Sequence, residues 1–235
     1  MNNGHSLLRA FTTIGLILTL GVSMSACAST SWKEEVLLHD GSKIIVERAV
    51  ERGGRHEVGQ KPPYKEQRLS FALPGAKQTI TWEDHYSQDL GQANFLPMAL
   101  DISGGTPYLV AYPMGCLSYN KWGRPNPPYV IFQYQGKEWK RVPLEELPSE
   151  IKTPNVIFSM PDIEVERFGK RFITAEMIKG VIDGYKQPEF KAILREPVKP
   201  GSLGSTNCEE RVHYKGHWIL PNDPIAQEFI DRQTK

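Results

Sequence analysis

Four glycine-containing turn dipeptides, each between strand-like apolar arms, constrain this chain more than any other feature. VLLHDGSKIIV turns at Asp40-Gly41, RLSFALPGAKQTITW at Pro74-Gly75, PMALDISGGTPYLVAY at Gly104-Gly105, and YVIFQYQGKEWKRVPL at Gln135-Gly136. Tight hairpin turns need positive φ, which glycine adopts without a Cβ clash. Four hairpins give about eight strands, so the expectation is a mainly β body of successive antiparallel hairpins, sandwich-like or an open barrel. The turn glycines lie 34, 30 and 31 residues apart, a spacing that makes a partial β-propeller the alternative. The arms share no residue signature, which favours plain hairpins over a repeat.

The last third changes character and predicts a small α appendage, giving an α+β chain. Thr174 can cap AEMIKGVIDGYK, where Met177, Ile178, Val181, Ile182 and Tyr185 recur at helical spacing. A second short helix is expected from Pro188 to before Pro197, so the helical region runs over 174–196. A third is expected over 224–232, where Asp223-Pro224 supplies a cap and a first-turn proline. ERVHYKGHWIL reads as a final hairpin turning at Lys215-Gly216.

The N-terminus carries an address. MNNGHSLLRA, charged at Arg9, precedes the apolar run FTTIGLILTLGV, the n-region and h-region of a secretory signal. The run is shorter than the roughly 20 apolar residues of a membrane span. Met24-Ser25-Ala26-Cys27 resembles the lipobox of bacterial lipoproteins. That resemblance implies cleavage before Cys27 and acylation of Cys27 by a thioether-linked diacylglycerol and an N-acyl chain such as palmitate. Two or more chains suffice for stable anchoring. Ala28, Ser29 and Thr30 follow rather than an aspartate, so the resemblance implies the periplasmic leaflet of the outer membrane. Ala26-Cys27-Ala28 also fits a general signal-peptidase site, which would leave a soluble periplasmic protein. The expected division is a signal peptide over 1–26, an acylated tether over 27–34, and a single β-rich domain over 35–235.

Of the remaining cysteines, Cys116 and Cys208 either pair as a disulfide in an oxidising compartment or stand as two separately buried thiols. The chain holds 28 basic and 27 acidic side chains, and losing Arg9 with the leader balances them. No basic footprint for nucleic acid is present, and nucleic acid is not expected as a partner.

Chemical signatures are weak. His213 and His217 stand as H-x₃-H, but a two-residue turn at Lys215-Gly216 sends them to opposite hairpin faces, so no metal is expected. Glu83, Asp84 and His85 form an acid and imidazole cluster at a strand end, the best available hydrolase candidate. Ser118-Tyr119-Asn120 matches one element of penicillin-recognising enzymes without the others. No motif implies a cofactor. In CLSYNKWGRPNPPYV, residues 116–130, Tyr119, Trp122, Arg124 and Tyr129 are interleaved with three prolines. A stiff aromatic loop is suited to partner contact; the alternative is a lid folded back over the β core. The expected function is therefore a noncatalytic binding module on a lipid anchor, meeting an envelope protein or glycan. The alternative is a periplasmic hydrolase.

Overall fold

The computed structural model describes residues 29–75, 78–199 and 207–233. The leader over 1–26 and the candidate lipidation residue Cys27 lie outside the described residues.

Eight strands follow in hairpin order: β1 (Ser29–Leu37), β2 (Lys43–Arg52), β3 (Tyr64–Ala72), β4 (Thr79–Asp84), β5 (Phe95–Ser103), β6 (Thr106–Pro113), β7 (Val130–Gln135) and β8 (Glu138–Val142). They form two sheets, β4-β3-β2-β1-β9 and β5-β6-β7-β8, where β9 (Phe172–Ile173) adds to β1 in parallel. The chain is thus mainly β with a small helical part. The sheets are separate in hydrogen bonding yet share one core: Val36, Val46, Leu69 and Trp82 of the first meet Phe95, Leu109 and Phe132 of the second. That arrangement is a sandwich, rather than the open barrel or partial propeller.

The turns differ locally. Gly104 and Gly105 take φ of 55° and 79° and close a two-residue turn between Ser103 and Thr106. The Gln135-Gly136 turn shifts by one residue, centring on Gly136 and Lys137. Asp40-Gly41 sits in a longer connection, because Asp40 Oδ1 accepts from the Ser42 N–H and hydroxyl and builds a side-chain turn of its own.

The segments that cover each sheet decide which face meets water. In β2 buried and exposed residues alternate, as expected of a sheet with one wet face. β5 and β6 are buried on both faces, since Met98, Val110 and Ile131 pack outward against Leu147, Ile151, Phe158 and Ile193. Two helices, α2 (Pro161–Phe168) and α3 (Ala175–Asp183), close a further cluster around Trp32, Val50 and Tyr64 at the margin of the first sheet. The Thr174 hydroxyl oxygen accepts from the Met177 N–H at the start of α3. The 174–196 region divides into α3 and the single turn α4 (Pro188–Lys191), and α5 spans Pro224–Gln233.

One boundary is corrected. Residues 29–34, expected as part of an acylated tether over 27–34, belong to β1. Trp32, Glu34 and Val36 alternate inward, and Ser29 through Leu37 pair with β2. Two helices were not expected: α1 (Gly115–Lys121), and α2, which has a proline at its first position and Gly169 beyond its end.

Candidate functional site

Strand and helix geometry turn the aromatic segment 116–130 inward. Tyr119 and Tyr129 are buried, which corrects the expectation that they meet a partner. The Tyr129 hydroxyl lies 2.8 Å from the Glu189 carbonyl and 3.0 Å from that of Ala192. Trp122 is half-buried, with its ring 4.6 Å from that of Phe95 and its Nε1–H donated to Asn94 Oδ1. Arg124 lies over the Tyr119 ring and donates to Asn120 Oδ1 and the Cys208 carbonyl, each at 2.9 Å. Cys116 and Cys208 are disulfide-bonded, with Cα atoms 5.3 Å apart. The segment clasps the chain around Cys208 to the sandwich and presents no free aromatic ridge.

The acid cluster is divided by the period of the strand. Asp84 faces inward, 5% exposed, while Glu83 and His85 face solvent 3.6 Å from each other. Asp84 accepts three hydrogen bonds, from the N–H groups of Asn94 and Phe95 and from Asn94 Nδ2. Burial nevertheless pushes its pKa up to about 6. Its oxygens are occupied by the link from β4 to β5, and the three residues do not converge. Ser118 is buried and donates to the Asn94 carbonyl. His213 pairs with Trp218, and His217 with Tyr214. Among the described residues no group of three His, Cys, Asp or Glu could hold a metal ion.

The larger constellation lies at the end of β2 in the first sheet. A register shift between Glu51 and Arg52 turns the end of β2, and Arg52 reaches α2. Its Nε and Nη2 donate to the two oxygens of Asp162, at 2.6 and 2.9 Å, and its Nη1 donates to the Pro62 carbonyl. The Tyr64 hydroxyl also donates to Asp162, and the Arg52 guanidinium lies 4.0 Å from the Tyr64 ring centroid. Burial opposes ionisation of Asp162, but the Arg52 and Tyr64 hydrogen bonds outweigh it and hold the carboxyl below its usual range. Burial, then the bond to Asp162, pushes the Tyr64 phenol up.

This network floors an open cleft of about 770 Å³. Thr30, Lys61, Glu166, Lys170 and Arg171 line it above Arg52 and Asp162. Its donors and cations suit an anionic group; its one buried carboxylate is engaged by Arg52 and by the Tyr64 hydroxyl. Sequence reasoning passed over Arg52 and Asp162 because 110 residues separate them and no motif joins them. Comparisons with protein-family models, with curated proteins and with solved structures find no match to this chain.

Proposed function

We propose that this chain is a membrane-anchored, periplasm-facing lipoprotein that acts as a noncatalytic binding module, of the envelope accessory, inhibitor or immunity type. The anchor is lipid on Cys27, and the location is the periplasmic leaflet of the outer membrane. The observation that carries this reading is the Cys116–Cys208 disulfide, a bond that persists in oxidising compartments such as the periplasm and is rare in the cytosol. It supports the same address as the lipobox-like Met24-Ser25-Ala26-Cys27. The hydrolase alternative needs Glu83, Asp84 and His85 to act together, whereas Asp84 turns inward to three donors and Glu83 and His85 face solvent.

The mass of the mature protein tests the anchor. A chain beginning at Cys27 and carrying acyl groups is expected; an unmodified chain beginning at Ser29 overturns it. Crosslinking in intact cells tests the binding role, with an envelope protein or glycan as the expected product. Turnover of peptidoglycan or peptide by the purified protein, abolished by Glu83→Gln, overturns the noncatalytic assignment.

A further inference from the structure

We infer that the cleft beside Arg52 and Lys170 receives the phosphate headgroup of an anionic phospholipid from the leaflet that holds the anchor. This rests on the proposed acylation of Cys27. Cys27 precedes Ser29, the first residue of β1, by two residues, and an extended chain spans at most about 3.6 Å per residue. The acylated residue therefore stands within about 7 Å of the sandwich. Thr30 lines the cleft, and the Ser29–Glu51 register places the exit of β2 at the same end. The cleft and the loop over 53–63 consequently adjoin the headgroup layer.

Charge in the cleft selects the ligand. Arg52 neutralises Asp162, and Lys61 approaches Glu166 at 3.3 Å. Lys170 and Arg171 have no carboxylate within ion-pair distance among the described residues. Both are exposed, and the Ser31 carbonyl holds the Arg171 guanidinium through Nη1 at 2.8 Å. A pre-placed guanidinium next to an ammonium matches the oxygens of a phosphodiester. On the facing loop, Arg55 and His56 stand against the single acid Glu57, and Val58 is fully exposed. An exposed apolar side chain among cations suits the headgroup boundary, where anionic lipid attracts basic residues within a Debye length of about 10 Å.

The test uses the acylated full chain carrying Val58→Cys with a nitroxide label, reconstituted into vesicles. One set is phosphatidylcholine alone; the other contains phosphatidylglycerol. The label should become several-fold less accessible to a water-soluble nickel chelate in the phosphatidylglycerol vesicles. Lys170→Glu with Arg171→Glu should abolish that difference at unchanged circular dichroism. Raising salt to about 0.5 M should weaken it for the otherwise unaltered chain. Lys137→Glu with Lys140→Glu, at the opposite end of the sandwich, should leave it intact. An acylated chain whose label is equally accessible in both vesicles overturns the headgroup site alone. A difference that survives the Lys170 and Arg171 reversals does the same. A chain that carries no acyl group and floats with neither vesicle overturns the anchor and the headgroup site together.

Discussion

His39 Nδ1 lies 2.6 Å from Asp101 Oδ1, and the His39 backbone N–H donates to Asp101 Oδ2 at 3.0 Å. The loop between β1 and β2 is thereby clasped to β5, across the two layers of the sandwich. The bond to Asp101 raises the His39 pKa above its usual value near 6.5, against desolvation, which would lower it. A raised folded pKa means that the imidazolium stabilises the fold fully below the unfolded value. That contribution fades as pH climbs through the folded one. His39→Ala should cost about 1 kcal/mol at about pH 6 and less at about pH 9. Urea midpoints of both proteins across that range check it; a gap that widens with pH contradicts the clasp.

Beneath the first sheet, Arg48 and Glu34 form an ion pair with almost no solvent contact, 1% and 0% exposed. Trp32 Nε1 and the Ile157 N–H donate to Glu34, and Arg48 donates to the Ile157 carbonyl. Arg48 Nε and Nη2 have no partner among the described residues. Removing one charge strands the other, so Glu34→Ala should cost about 3 to 5 kcal/mol. Glu34→Met with Arg48→Met should cost far less, because the pair and its unsatisfied donors leave together. Denaturant unfolding of the three proteins separates these outcomes, and equal losses would contradict the argument.

Much of this architecture was legible locally. Gly104-Gly105 names its hairpin because the turn conformation is a property of those two residues. Which sheets stack is not local: Trp82 meets Phe132, ring centroids 5.9 Å apart, across connections that carry no signature. The helix α3 was readable from Thr174 and its apolar stripe, whereas α2 hid behind a proline-rich stretch. Composition identified the aromatic residues of 116–130 but not their direction. Side-chain direction there follows from α1 and from the bond to Cys208, both set by tertiary contact. The cleft was illegible for the same reason, since Arg52 and Asp162 meet only once α2 docks.

Asp84 carries a second pH dependence, of opposite origin. Burial lifts its folded pKa to about 6 from the carboxylate's ordinary 3.8. An acid with a raised folded pKa binds more protons when folded, so its charged form costs stability as pH rises from about 4 to about 6. Asp84→Asn keeps an acceptor for the Asn94 and Phe95 N–H groups and should flatten stability over that interval. Asp84→Ala orphans those buried donors and should cost about 2 kcal/mol or more at every pH. Thermal melts from pH 4 to pH 7 distinguish the two variants.

Trp122 packs against the core. Its ring packs on Phe95 and Phe132, under the Arg141 guanidinium 5.6 Å from its centroid. Trp122→Ala should lower stability by about 3 kcal/mol while leaving crosslinked envelope partners unchanged. Unaltered stability together with loss of a partner would restore the aromatic segment as a contact surface.

The disulfide and the polar contacts beside it hold one segment twice. Cys116 and Cys208 enclose a sequence separation of 92 residues, for which chain entropy predicts a contribution of about 4 to 5 kcal/mol. Asn120 donates to the Glu209 carbonyl and accepts from the Arg211 N–H, and Arg124 donates to the Cys208 carbonyl. These bonds survive chemically when the sulfurs are replaced, so Cys116→Ser with Cys208→Ser should lose the entropic constraint yet keep the segment docked. Asn120→Ala should be mild with the disulfide intact, by about 1 kcal/mol. In the disulfide-free chain it should free residues 209–211, leaving the Arg124 bond to the backbone carbonyl at position 208 as the remaining tie. Limited proteolysis at Arg211, compared with and without the disulfide, reads the difference. Protection that vanishes on removing the sulfurs alone would mean that the disulfide, and not Asn120, holds the segment.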